Sequence, residues 1–274
     1  MRKSFVKYLL SQDLNLNKES DQMIRAILSG CGGQMGRVIT AMCENDPEIE
    51  IVAGVDVSDV RADYPVYKSF DAIKEEADVL IDFSSSTALD SILPYCIKKR
   101  VPAVICSTGH SDEQLDSIKK AADVIPMFKS GNMSLGINLL CELIKQSAAV
   151  LGLDFDIEVI EKHHNKKIDA PSGTAYMLAE AAEKGLGSDM EYVYDRHAVR
   201  ERRNSGQIGI SSVRGGSIPG EHTVIFAGKD EVIEFKHTIY SREVFAVGAL
   251  RAAKYLAGKK EPGMYDMGDV IANN

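Results

Sequence analysis

The segment Ser29-Gly30-Cys31-Gly32-Gly33-Gln34-Met35-Gly36-Arg37 constrains the fold of this chain more than any other. It joins a short apolar run, Ile24 to Leu28, to an amphipathic stretch, Gln34 to Asn45, and so reads as strand, glycine turn and helix. The glycines at 30, 33 and 36 give G-x-x-G-x-x-G with Gly32 in addition, a departure from the strict G-x-G-x-x-G spacing. The physics is the same: a tight turn, a backbone that a pyrophosphate can approach, and a helix N-terminus for the phosphate to sit on. A second apolar run, Glu50 to Val55, ends at Asp56. A carboxylate there hydrogen-bonds the adenosine ribose hydroxyls and repels a 2′-phosphate, which favours NADH over NADPH. Arg37 and Arg61 lie close enough in sequence to soften that choice. Glycine also collects in ordinary turns, and aspartate in ordinary loops; the strand–loop–helix context is what points to a nucleotide.

The apolar pattern continues as strand Val79 to Phe83, helix Thr87 to Lys99, strand Ala103 to Cys106, helix Ser111 to Ala121 and strand Val124 to Phe128. Strands spaced by helices predict βαβ units and a parallel sheet, hence a Rossmann-type dinucleotide-binding domain. The pattern then changes. Helix Ser134 to Leu151, strand Phe155 to Ile160 and helix Ser172 to Lys184 precede three strand-like runs with no helix between them: Ile208 to Val213, His222 to Phe226 and Val232 to Thr238. That predicts an α+β domain with a mixed sheet, followed by a last helix, Arg242 to Leu256. The expected division is 23–131 for dinucleotide binding, completed by 242–274, and 132–241 for substrate binding and oligomerisation, with hinges near Gly131 and Ser241. Residues 1–22 are polar around one interrupted apolar stretch and read as an N-terminal extension.

Composition removes several functions. Lys and Arg number 32 against 40 Asp and Glu, a net charge of −8, which argues against a nucleic-acid binder. The absence of an uninterrupted apolar run of transmembrane length predicts no membrane span. The five cysteines are scattered, odd in number and without a C-x-x-C pair. They fit neither a disulfide scaffold nor a metal ribbon, so reduced thiols, a cytoplasmic location and no metal are expected.

The segment Glu161 to Ala175, EKHHNKKIDAPSGTA, is the richest in chemistry. A helix starts after Pro171, so Ser172, Gly173 and Thr174 offer first-turn amides and hydroxyls, an anion cradle whose natural guest is a carboxylate. Lys167 adds a positive charge, and His163 exchanges protons near neutral pH. If the segment is extended, 163 and 167 share a face. Taken singly, the lysine pair is a solvated turn, Ser-Gly-Thr is a helix cap, and the adjacent histidines point to opposite faces of a strand. Their occurrence within fifteen residues is what suggests a site. Arg214, Arg242 and His222 are weaker candidates, with a structural role favoured for Arg214.

The pattern H-H-x-x-K-x-D-A-P-S-G-T-A from His163 resembles the signature of the dihydrodipicolinate reductases of lysine and diaminopimelate biosynthesis. The resemblance runs from Met23 to the C-terminus and includes Gly30 to Arg37, Asp82-Phe83-Ser84, Gly131 to Gly136, Ser212 to Gly216, Gly220-Glu221-His222 and Phe245 to Leu250. It implies an NAD(P)H-dependent reduction of a small dicarboxylate ring, hydroxylated or dehydrated, in a homotetramer. It implies that His163 and Lys167 are the proton-transfer groups. His164, Lys167, Ser172, Gly173 and Thr174 would bind substrate. Gly30, Cys31, Gly32, Gly33, Gln34, Met35 and Asp56 would hold the adenosine diphosphate, and Cys106, Ser107, Thr108, Ser130, Gly131, Asn132 and Met133 the nicotinamide. Cys106-Ser107-Thr108-Gly109 departs from the family's common Gly-Thr-Thr-Gly. The competing readings are another NAD-dependent dehydrogenase of small acids or amino acids, and a non-catalytic dinucleotide sensor.

Overall fold

The computed structural model describes residues 23–197 and 200–273; the expected N-terminal extension lies outside the described residues. The chain runs β1 (Ile24–Ser29), α1 (Gln34–Cys43), β2 (Ile49–Val55), β3 (Val66–Tyr67), β4 (Val79–Asp82), α2 (Leu89–Lys99), β5 (Ala103–Ile105), α3 (Asp112–Ala122) and β6 (Pro126–Lys129). These strands are all parallel, and β1, β4 and β5 are buried almost without break, as a sheet covered on both faces requires. Ala26, Leu28, Ile81, Val104 and Phe128 face one core; Ile27, Leu80, Ala103, Ile105 and Met127 face the other. The alternation follows from the pleat. Ser111 caps α3 in a reciprocal box with Gln114, in agreement with the helix start read from the sequence.

The second half comprises α4 (Leu135–Leu151), β7 (Asp156–His163), α5 (Gly173–Leu186), β8 (Glu191–Val193), β9 (Gln207–Arg214), β10 (Glu221–Ala227) and β11 (Val232–Thr238). It is followed by α6 (Glu243–Ala257), β12 (Gly263–Tyr265) and α7 (Met267–Ala272). The second sheet has the order β11-β10-β7-β9-β8 and is mixed: β7, β8 and β9 run parallel, while β10 is antiparallel to both β7 and β11. α6 and α7 pack back on the first sheet, and β12 pairs with β6 to make its seventh strand. The order β12-β6-β5-β4-β1-β2-β3 reverses direction between β4 and β1, the switch point over which α/β sheets open a crevice. Two- and three-residue strands such as β3, β8 and β12 hold too little of a period to be read from sequence.

α4 is the most apolar long helix among the described residues, although Glu142 and Lys145 interrupt it. Leu135–Asp154 is, by length and composition alone, apolar enough to cross a membrane. In the fold Leu140, Ile144 and Ala148 join the core of the second half against α5 and Ile137 is buried, while Leu139, Leu143 and Val150 stay exposed.

The second sheet's covered face changes character along its strands. At one end it carries Ile157, Val159, Ile208, Ile210, Val224 and Phe226, packed under α4 and α5. At the other end, by the same two-residue alternation, it carries Glu161, His163, His222 and Arg214.

α6 crosses the segment that links the halves, and Gly248 is where it touches. A Cβ at Gly248 would collide with the carbonyl oxygen of Met133. At an unhindered helix position Gly→Ala stabilises by about 1 kcal/mol. Here we expect Gly248→Ala to destabilise the protein by about 1–3 kcal/mol through overpacking, read from the midpoint of urea unfolding.

Candidate active site

A cleft of about 870 Å³ opens over the C-terminal ends of β1, β2 and β4, bordered by Gly30, Gly33, Asp56, Ser84 and Thr87. Gly30 makes the turn at φ +77°, and a Cβ there would lie 2.8 Å from the Phe83 backbone. Gly36 lets α1 start directly over the Gly30 carbonyl, which any side chain would strike. Gly33 is the N-cap of α1 and supplies no side-chain acceptor, so the first-turn amides of Gln34 and Met35 are left for an anion. Cys31 is buried and its thiol is pushed up to about 11 by burial and by Asp56, so it serves the loop through its backbone. Asp56 braces the same loop: Oδ2 accepts from Gly32 N at 2.8 Å and Oδ1 from Ser58 N at 2.8 Å. Arg242 reaches across to Gln34 Oε1 at 2.6 Å.

Further along the same strand ends, Cys106 is half-buried, Ser107 is buried and Thr108 is exposed. Ser107 belongs to a line of groups that sequence reading did not assemble. Lys129 Nζ lies 3.3 Å from His110 Nδ1, His110 Nε2 lies 3.2 Å from Ser107 Oγ, and Ser107 Oγ lies 2.5 Å from Asp82 Oδ2. An ammonium only donates, so His110 accepts at Nδ1 and donates from Nε2, and the Ser107 hydroxyl hydrogen goes to Asp82. Burial, and then Lys129 itself, lowers the His110 pKa, and burial lowers that of Lys129. Strand order alone brings these positions together, so no local motif announces them.

The linking segment meets the anion cradle. Asn132 Nδ2 donates to Thr174 Oγ1 at 3.0 Å, and Asn132 Oδ1 accepts from Ser134 N at 2.8 Å. Ser130 Oγ donates to the Asn132 carbonyl at 2.8 Å, Met133 is buried in the first core, and Gly131 abuts Met177 of α5. Residues expected at the nicotinamide therefore touch residues expected at the substrate. Ser172 caps α5: its Oγ accepts from Ala175 N, so its hydroxyl hydrogen points to His222 Nε2 at 2.9 Å. Beside it a Cβ on Gly173 would meet nothing within 4 Å, so the cradle is open at that point.

His163 ends β7. Its Nδ1 lies 2.5 Å from Glu161 Oε2, and its ring meets that of His222 edge-on at 5.1 Å. Glu161 has no exposed surface, and Arg214 grips it from two nitrogens at 2.7 Å each. Burial alone would raise the Glu161 carboxyl, but hydrogen bonds from Arg214, His163 and Ser212 hold it down at about 2. Burial lowers His163 against the pull of Glu161, and lowers the enclosed His222 to about 4.

Lys167 does not reach His163 along an extended strand, and that expectation is corrected. β7 stops at His163, Asn165 N donates to the Gly216 carbonyl, and Lys167 N closes a turn on the His164 carbonyl at 3.1 Å. The turn carries Lys167 Nζ to Asp169 Oδ1 at 2.8 Å, close enough that its charge lowers both His163 and His222. Lys166 is exposed, and His164 is half-buried with its Nδ1 enclosed. Arg214 bonds Glu161 and the Asp169 carbonyl. Glu161 was within the segment read from sequence but received no role; its i, i+2 spacing to His163 on a strand was the available signal.

Residues 24–133 match the family model described as dihydrodipicolinate reductase, N-terminus, and residues 136–271 that described as dihydrodipicolinate reductase, C-terminus. The 4-hydroxy-tetrahydrodipicolinate reductase of Caldanaerobacter subterraneus subsp. tengcongensis is 51% identical over 249 residues, covering 91% of this chain and 98% of that one. The reductase of the same name from Clostridium tetani is 48% identical over 253 residues, covering 92% and 98%. Among solved structures, a dipicolinate-bound dihydrodipicolinate reductase from Paenisporosarcina sp. TG-14 has the same fold. It superimposes with a TM-score of 0.72 at 24% identity, covering 89% of this chain and 98% of that one.

Proposed function

The chain belongs to the dihydrodipicolinate reductase family, and on that premise we propose that it uses NADH, with NADPH as a second substrate, to reduce 4-hydroxy-tetrahydrodipicolinate to tetrahydrodipicolinate, consuming a hydride and a proton while the 4-hydroxyl leaves as water. The reaction belongs to lysine and diaminopimelate biosynthesis. The observation that carries the reading is the Asn132–Thr174 contact, which joins the expected cofactor side to an anion cradle flanked by His163 and Lys167. A dinucleotide sensor would need the glycine cleft alone, and a dehydrogenase of other small acids would not need His163, Lys167 and the cradle together.

The residues present fit a bound dinucleotide. Gly30, Gly32 and Gly33 with the amides of Gln34 and Met35 would hold the pyrophosphate, with Cys31 as part of the loop. Asp56 would take the ribose hydroxyls beyond the bonds that brace the loop. Cys106, Ser107 and Thr108, with Ser130, Gly131, Asn132 and Met133, would flank the nicotinamide. When bound, the cofactor supplies a hydride to the ring. Everything else falls to the chain. The backbone N–H groups of Gly173 and Thr174 take one substrate carboxylate, with Ser172, whose own amide is held by Glu161, shaping the cradle as its cap, and Lys167 and His164 meet the dianion with positive or donor groups. His163 Nε2 supplies the proton that neutralises the charge left on the reduced ring, with Lys167 as the second donor. Ser107 gives its own hydrogen to Asp82, so it would meet the cofactor as an acceptor, which keeps the departure from Gly-Thr-Thr-Gly compatible with binding.

Cofactor binding is assigned to 23–131 with 242–274, and substrate binding to 132–241, hinged near Gly131 and Ser241. The face of the second sheet away from α4 and α5 bears Ile160, Ser211, Val213, Thr223 and Ile225, and among the described residues no helix packs over it. That supports a homotetramer built through this sheet.

Lys167→Ala is expected to lose on the order of 10²-fold or more in kcat while NADH still binds, measured by NADH oxidation with substrate freshly made from aspartate semialdehyde and pyruvate. Near-normal turnover would overturn the assignment. The ratio of kcat/KM for the two cofactors should favour NADH; a strong NADPH preference would contradict the role given to Asp56. Sedimentation should show a tetramer at working concentration, and a monomer would count against the sheet interface.

A further inference from the structure

Beneath the proposed site lies one buried carboxylate that the reaction does not use directly. Glu161 is fully enclosed, and all its partners donate to it: both terminal nitrogens of Arg214, the backbone N–H of Ser172 at 3.2 Å, the Ser212 hydroxyl, and His163 Nδ1. An ionised carboxylate only accepts, so the proton on Nδ1 of His163 is obligatory. The atom left for chemistry is Nε2, which faces Gly220, where a Cβ would stand 3.4 Å away.

Arg214 does more than neutralise Glu161. The nitrogen that bonds Glu161 Oε1 also donates to the carbonyl of Asp169, whose carboxylate holds Lys167 Nζ at 2.8 Å. One guanidinium therefore fixes the partners of both expected proton-transfer groups. We propose that Glu161 and Arg214 are positioning residues for the reduction: Glu161 sets the tautomer and orientation of His163, and Arg214 holds both Glu161 and the turn that carries Lys167. The inference rests on the reading of His163 as the proton-transfer group.

A purely architectural ion pair between β7 and β9 would share the geometry but not the electrostatics. Around His163 stand Glu161 on β7, Arg214 on β9, His222 on β10 with His237 behind it on β11, and Lys167 with its partner Asp169 on the turn. Arg214 and Lys167 disfavour the imidazolium, and Glu161 is the negative charge in direct contact with it. Removing that charge lowers the His163 pKa further, so any step that needs protonated His163 fails at lower pH.

The test is a set of variants compared by pH profile. Glu161→Gln is expected to lose on the order of 10²-fold in kcat with little change in substrate KM. The pH at which its kcat/KM declines should fall by about one pH unit. Glu161→Asp, which keeps the charge, should leave that decline in place. Glu161→Gln combined with His163→Asn should be no slower than His163→Asn alone, because a residue that acts through another adds nothing once the other is gone. NADH fluorescence titration and sedimentation check that each variant folds. Should Glu161→Gln not fold, Arg214→Lys, which keeps a cation but cannot grip both oxygens, should show the same loss of kcat. Profiles that coincide with wild type, or losses that multiply in the double variant, would overturn the proposal. Wild-type turnover in His163→Asn would instead remove the reading beneath it, and the proposal with it.

Discussion

A carboxylate without exposed surface survives in a folded protein only if its charge is met on every side. Glu161 is met by Arg214, the Ser172 amide and His163, and the arrangement of the second half follows from that requirement. Its donors come from β9, from the start of α5 and from its own strand. To bring them together, β9 must lie beside β7 in parallel register, with Arg214 opposite His163, and α5 must begin directly over the end of the sheet. The helix start that caps the carboxylate is also the one that offers amides to an anion. A single buried charge thus ties the placement of the cradle to the orientation of the histidine beside it.

The surrounding fold supplies the contrast this needs. The covered face of the second sheet is hydrocarbon for most of its length, and only its last residues are polar. Hydrogen bonds at the edge of such a core are stronger than in water, and unmet ones cost more. His222 shows both sides. Burial lowers it to about 4, which keeps it neutral and able to accept from Ser172, while its Nδ1 is enclosed without a partner among the described residues. The first sheet works by other means: its crevice is shaped by glycine and by free amides, with Asp56 as the charged group that holds the loop.

Much of this was legible in the sequence because it depends on period and local chemistry. The strand–glycine–helix unit, the alternation from Phe155, the Ser111 and Ser172 caps and the existence of a last long helix all follow from short-range patterns, and the structure agrees with them. What was not legible depends on neighbours distant in sequence. Asp82, Ser107, His110 and Lys129 form one line only because β4, β5 and β6 are adjacent. Lys167 would share a face with His163 only if the extended strand continued. Asn165 bonded to the β9–β10 connection breaks it, and a turn delivers the lysine instead. Short edge strands carry too few residues to show a period. Glu161 acquires its meaning only when Arg214, 53 residues away, is placed beside it.

The return of α6, β12 and α7 to the first sheet has a consequence for how the chain is made. The core facing α1 needs Ala246, Ala249, Leu250, Ala253 and Leu256 to be covered, and the edge at β6 is closed by residues after Pro262. On a ribosome emitting roughly 5–20 residues per second, the first sheet would wait several seconds with one face and one edge open. The second sheet and its helices, contained between Leu135 and Thr238, need no such wait. The half made first is therefore the half completed last, and Gly248 packed on Met133 is the contact where the returning helix meets the segment that leaves the first sheet.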